Sequence, residues 1–162
     1  MPKNPDPTLK VTSSKGVVRT LDDWTTIFHL VLVVLPDRPE AAAFIPVAKR
    51  IFATFGDADC KVGFLVTADE EVARRVLGSA EETIFTLTDP DCALVESLNL
   101  ERVPALVHIR QDTSLGAVAE GWDPAAWQRA VRRIATDLAW TTPEVSGPGD
   151  PRPGTSWPAL RP

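Results

Sequence analysis

The apolar run Ala105–Ile109 opens directly after a proline, Pro104, at the end of the segment Glu101-Arg102-Val103. Proline has no N–H for a sheet ladder, so within sheets it is confined to edges, bulges and the first residue of a strand. A proline at the mouth of an otherwise clean strand marks a special turn, of the kind that often carries a cis peptide bond. A helix-like segment precedes this turn. A Gly121-Trp122-Asp123-Pro124 turn into an amphipathic helix follows the strand and its hairpin. Few chain topologies accommodate that order.

Upstream, His29–Leu35 is a nearly continuous valine-rich run, the pattern of a central strand covered on both faces. Two prolines within residues 36–40 break it. Residues 41–55 then predict a helix with Phe44, Ile45, Ala48, Ile51, Phe52 and Phe55 on its buried side. Pro46 should kink that helix, and Gly56 should stop it. Cys60–Val66 reads as a second buried strand, residues 69–77 as a short helix, and residues 83–87 as an alternating strand. Asp89-Pro90 and Asp123-Pro124 each offer an N-cap aspartate with a proline at the first helical position. Helices are therefore expected over 89–98 and 125–139, with a hairpin turn at 112–115 leading into a strand over 116–120. Residues 16–20 suit an edge strand, with Thr20, Asp22 and Asp23 starting a short helical segment. Strands alternating with helices predict a layered α/β fold, its sheet largely parallel and closed by an antiparallel hairpin.

The domain is expected to span residues 15–140. Residues 1–14 are polar and proline-bearing and read as a flexible N-terminal arm. Residues 141–162 hold six prolines and three glycines, too little apolar material for a core of their own, and read as a Pro/Gly-rich C-terminal tail. Within that tail Trp157 and Leu160 form an apolar knot. It either docks onto the body, into a groove or against a partner, or is incidental to a loose tail, and the loose tail is the preferred reading.

The net charge of −5 lacks the basic footprint of nucleic-acid binding and argues against an anionic membrane surface. No run of about 18 apolar residues exists to span a bilayer, and the opening residues lack the order of an export signal. A cytoplasmic, reducing location is the expectation, with Cys60 and Cys92 outside any structural disulfide. Cofactor and metal are both expected to be absent. The spacing of the two cysteines fits no metal site, and no Gly-rich phosphate loop or serine–histidine–carboxylate set appears. His29 and His108 each fall within a buried strand and read as packed residues.

The succession of strands and helices over residues 16–139, with Thr86-Leu87-Thr88-Asp89-Pro90 followed by Leu98–Pro104, resembles the thioredoxin-like superfamily. Thr83–Thr88 is an additional strand between the second βα unit and the proline, and that extra αβ element resembles the superfamily's thiol-disulfide and peroxiredoxin-type branch. The resemblance implies a three-layer sandwich and a cis bond at Val103-Pro104. Counting back from Pro46, it puts Arg38 and Ala41 where the family carries its Cys-x-x-Cys thiols. Dithiol exchange needs an attacking thiolate and a resolving partner, and arginine and alanine supply neither. The family's substrate groove corresponds here to Arg38, Pro39, Val103, Pro104, Gly121 and Trp122; either Trp122 stands at the groove rim with Arg38 nearby, or Trp122 folds down as a helix staple and Arg38 is a solvated loop charge, and the two readings weigh about evenly.

Two functional readings follow. One is a redox-inactive protein that binds a protein or peptide partner through this groove, as a chaperone, assembly factor or adaptor. Some thioredoxin-like chaperones, hydrogenase maturation factors among them, similarly lack the dithiol. The alternative is a single-cysteine thiol oxidoreductase or peroxidase-like enzyme using Cys92 near a helix N-terminus, where a thiolate is favoured. Asp89 and Asp91 oppose that charge, and free cysteine more often packs as a small hydrophobe. The binding reading is the one carried forward.

Overall fold

The computed structural model describes residues 1–160. In chain order these form strands Lys10–Ser13 (β1) and Val18–Thr20 (β2), helix Leu21–Trp24 (α1) and strand His29–Leu35 (β3). A 3-10 turn, Pro39–Phe44, runs into helix Ile45–Phe55 (α2), followed by strand Cys60–Val66 (β4), helices Glu70–Leu77 (α3) and Ala80–Thr83 (α4), and strand Thr86–Thr88 (β5). Helix Ala93–Ser97 (α5), strands Arg102–Val103 (β6), Ala105–Ile109 (β7) and Leu115–Glu120 (β8), helix Pro124–Leu138 (α6) and strand Trp157–Pro158 (β9) complete the chain.

Successive side chains of a strand point to opposite faces, and β3 shows the consequence. Val31, Val33 and Leu35 enter one core; Leu30, Leu32 and Val34 enter the other. All six are fully buried. The first core is closed by α2, α3 and α6 through Ile51, Phe55, Val76, Trp127 and Ile134. The second is closed by α1 and α5 through Leu21, Trp24, Leu94 and Val95. Helices on both faces of one sheet make three layers, as the sequence pattern implies.

The sheet runs β2-β1-β5-β4-β3-β7-β8. Its centre, β5-β4-β3, is parallel, because helical crossovers connect those strands. Strand β7 runs antiparallel to β3 with Val34 opposite Ala105, and β8 returns as a hairpin. On the other side β1 and β2 form an antiparallel pair, with β1 joined to β5.

Several local expectations change. The segment read as a flexible arm supplies β1, and its first residues are tied to the body by Lys3 N–H donating to Leu98 O (2.9 Å) and Asn99 Nδ2 donating to Met1 O (2.8 Å). Pro46 does not kink a helix. It sits in the first turn of α2, where a missing N–H costs nothing, and the preceding turn is 3-10. Residues 80–83 are helical, so β5 begins only at Thr86. The helix after Asp89-Pro90 starts at Ala93, three residues later than expected, with Cys92 at its N-cap in the left-handed region (φ 57°). Asp89 still caps it: the carboxylate accepts from Leu94 N–H and Val95 N–H, both at 3.1 Å. Asp123 behaves as expected, accepting from Ala125 N–H (3.1 Å).

The tail is the largest departure. Gln128 holds it at both ends of one turn, donating to Pro143 O and accepting from Val145 N–H, each at 3.0 Å. Val145 itself is fully buried in the first core. Arg50 then pairs with Asp150 and donates to Val145 O (2.8 Å). From there the chain reaches β9. Residues 161–162 of the tail lie outside the described residues.

Candidate groove at the cis-proline

The Val103-Pro104 peptide bond is cis. It separates β6 from β7, so Arg102 and Val103 leave the main sheet and present their backbone to a different neighbour. That neighbour is the chain's own tail: β9 pairs antiparallel with β6, Val103 opposite Trp157 and Arg102 opposite Pro158. Beyond the pair, Ala159 N–H donates to Glu101 O at 3.0 Å. On the other side, Trp122 N–H donates to Thr155 O (2.9 Å) and Gly154 N–H donates to Trp122 O (2.7 Å). An extended segment of the tail thus lies between residues 101–103 and residue 122.

Side chains reinforce the backbone contacts. Arg102 donates through Nε (3.1 Å) and Nη2 (2.8 Å) to Ser156 Oγ. The Arg38 guanidinium lies 5.7 Å from the centre of the Trp157 ring, within cation–π range. Phe44 meets Trp157 edge-on at 6.2 Å between centroids, then meets Trp122 at 5.8 Å, and Trp122 meets Trp127 at 5.1 Å. Four aromatics therefore run from the groove into the core. Each contact has the tilted geometry that ring quadrupoles favour.

Gly121 is required by the same arrangement. Its φ is +71°, and a Cβ there would approach Ser156 Cβ to 3.3 Å. Glycine alone combines that backbone with that proximity at little cost.

The expected site residues do not all converge. Arg38 occupies the N-cap of the 3-10 turn, Ala41 is fully buried three residues later, and no thiol stands at either position. The Pro104 carbonyl accepts from Gly121 N–H (2.8 Å), and Arg38, Val103 and Gly121 border the tail segment. Pro39 does not: it is exposed and lines a separate small cavity with Val72, Arg75 and Val76. Trp122 is not an open rim residue. It is 1% exposed, with its Nε1–H donating to Pro151 O (2.8 Å), and its contribution to the groove is its backbone. Phe44, Ser156 and Trp157 belong to the site and were absent from the expected set. The apolar knot at Trp157 and Leu160 was the one sequence signal for them.

A cleft of about 410 Å³ borders the same segment, lined by Pro36, Asp37, Arg38, Thr67, Pro158 and Ala159. Nearby, Cys92 places Sγ 3.9 Å from Ala159 O and is 6% exposed. Cys60 lies in the opposite core, where burial first and the Asp59 charge second push its thiol up to about 11. The sheet separates the two, and neither is in a disulfide. Among the described residues no group of three or more His, Cys, Asp and Glu is placed to hold a metal ion, and no helix is long and apolar enough to cross a membrane.

A second polar cluster sits at the far end of the sheet. His108 is fully buried in β7, and its Nε2 lies 2.8 Å from His29 Nδ1. Among the described residues its Nδ1 makes no hydrogen bond, and Asp137 Oδ2 stands 3.6 Å away, shared with Arg110. A β-bulge brings Gly116 against it: a Cβ at Gly116 would fall 2.3 Å from His108 Nδ1. Burial, then the neighbouring His29, pushes the His108 imidazole down to about 4.

No family model and no curated protein matches this chain. Solved structures do. A structure described as a thiol:disulfide interchange protein DsbE from Chlorobium tepidum superposes with a TM-score of 0.68 at 16% identity, covering 85% of this chain and 98% of that one. MTB DsbF gives 0.63 at 13% identity over 80% and 95%. Xanthomonas campestris peroxiredoxin Q gives 0.63 at 13% identity over 81% and 91%.

Proposed function

We propose that this chain, which has the thioredoxin-like fold and lacks the Cys-x-x-Cys motif, is a redox-inactive protein that binds an extended segment of a partner at the cis-proline. One observation carries the reading. The backbone of residues 101–103, freed from the main sheet by the turn at Pro104, accepts an antiparallel strand, while the chain, with Cys60 and Cys92 as its two cysteines, holds no Cys-x-x-Cys. Strand addition of this kind draws affinity from main-chain hydrogen bonds and specificity from side-chain slots. Here the slot is bounded by Phe44 and Arg38. The role is holding, as in a chaperone, assembly factor or adaptor.

The solved relatives named above are described as redox proteins, and at their level of identity they speak to the fold. Selection from a random-peptide display library tests the binding reading. Binders are expected to displace the tail and so speed amide hydrogen exchange at Gly154 and Ala159, whose N–H groups donate to Trp122 O and Glu101 O. Binders that protect only other surfaces would remove the groove from the account.

The second reading keeps Cys92 as a redox thiol, because it lies at the same end of the sheet as the groove, beneath the tail carbonyl of Ala159. It requires faster alkylation of Cys92 in the native chain than in an unfolded control, together with peroxide or disulfide turnover lost in Cys92→Ser. Native alkylation slower than the control, with no turnover, leaves the binding reading alone.

A further inference from the structure

We infer that residues 154–160 are the groove's resident ligand, and that the partner is an extended polypeptide segment of the same pattern: a small hydroxyl residue, an aromatic, a proline and a small residue. The inference rests on the groove reading above and names what that groove selects and how its entry is controlled.

Each position of the segment has a stated reason. The serine is read by the fork of Arg102, which offers two donors to one hydroxyl oxygen, Ser156 Oγ. The aromatic fills the slot beside Phe44 and Arg38, where an aliphatic residue would lose both the edge-on ring contact and the cation–π contact. The proline stands opposite Arg102. Its missing N–H is harmless there because, with Ala159 N–H directed at Glu101 O, position 158 turns its nitrogen away from β6, and among the described residues the outer side of β9 has no strand neighbour. The small residue, Ala159, is 4% exposed and packs into the second core, with its N–H on Glu101 O. At Gly121 the absent Cβ leaves room for the strand's Ser156.

Attachment in cis makes the tail a competitor. A segment tethered by a short flexible linker acts at an effective concentration in the millimolar range. The tail's upstream anchors, Val145 in the core and the Arg50–Asp150 pair, keep it near the groove. For an intrinsic dissociation constant on the order of 100 µM, such tethering closes about nine grooves in ten. An external segment then binds the intact chain on the order of tenfold more weakly than an open groove. The occupant that matters is therefore a client segment able to displace the tail.

The test uses full-length chains. A fluorescein-labelled peptide with the sequence of residues 155–160 is titrated by anisotropy into wild type and into Trp157→Ser, whose groove side chains are intact and whose fold is checked by thermal melting. The expected result is saturable binding to Trp157→Ser, binding to wild type weaker by on the order of tenfold, and loss of binding when the peptide's tryptophan is replaced by serine. Equal affinity for both chains overturns the resident-ligand assignment, and undiminished binding of the serine peptide overturns the pattern. If Trp157→Ser ignores this peptide but binds display-selected ones at residues 101–103, the inference fails while the groove reading stands. If it binds neither, both fail. Independently of any variant, the amides of Gly154 and Ala159 in wild type should exchange slowly. Exchange at unstructured rates overturns the inference, and protection that rises with protein concentration overturns it in favour of a tail donated by a second copy.

Discussion

Lowering the pH from 6.5 to 4 should remove a defined part of the chain's stability, and His108 is the residue to examine. Its imidazole is buried among Val31, Gly116 and His29, with Asp137 and Arg110 as the charges that face it. Burial holds the folded group at about 4, below its ordinary 6.5. Between those values the unfolded chain takes up a proton that the folded chain does not. Stability rises with pH wherever the unfolded state binds more protons, so here it is fully present above about 6.5 and lost as pH falls toward 4. A tenfold change in proton affinity is worth about 1.4 kcal/mol, which sets the ceiling at about 3 kcal/mol. Asp137, 3.6 Å from Nδ1, favours the protonated ring, and the folded value of about 4 already carries that opposing pull. His29, pushed in the same direction by burial, adds a smaller share with the same sign. Urea unfolding followed by tryptophan fluorescence at several pH values gives the slope directly. His108→Leu should flatten the 4-to-6.5 limb whatever its effect on absolute stability. A variant that loses as much stability as wild type over that range would refute the assignment of the slope to this ring.

Three further outcomes follow from named contacts. Arg38→Cys combined with Ala41→Cys should form an intramolecular disulfide under oxidised glutathione, seen as a loss of two alkylatable thiols by mass spectrometry; two persistently free thiols at these positions would show the registration at Arg38 and Ala41 to be wrong. Gly121→Ala forces a side chain into φ +71° beside Ser156 and should cost about 1–3 kcal/mol, with faster exchange at residues 154–160; unchanged exchange would mean the tail does not lean on this position. Asp89→Ala removes the acceptor of Leu94 N–H and Val95 N–H and should cost about 1 kcal/mol in urea unfolding, whereas a cost near zero would show that water replaces the cap.

Much of the body was legible because single residues carry strong local rules. The valine-rich run at His29–Leu35 matches β3 in full, since a short, β-branched run of six consecutive buried apolar residues suits a strand covered on both faces. Pro104 marked the cis turn, and Asp123-Pro124 marked the start of α6. The misread elements were those in which distant partners outweigh local preference. Residues 10–13 are polar enough to read as an arm, yet β5 offers an open edge and they become a strand. Trp122 allows a rim reading from its place beside Gly121, but Phe44, Trp127 and the tail enclose it.

The sequence alone determined the architecture and the absence of the paired thiols, because hydrophobic periodicity, proline placement and the two cysteine positions, Cys60 and Cys92, are local properties of the chain. Only the tertiary structure decided what fills the groove. Residues 141–160 form no core of their own, and their proline and glycine content reads as a loose tail. Their order comes from Val145 entering the first core, from Asp150 meeting Arg50, and from Trp157 finding Val103, Phe44 and Arg38. Val103 and Trp157 are paired across a long separation along the chain. No local pattern at either residue specifies the other; the cis turn leaves the backbone of β6 without a neighbour in the main sheet, and the tail supplies one.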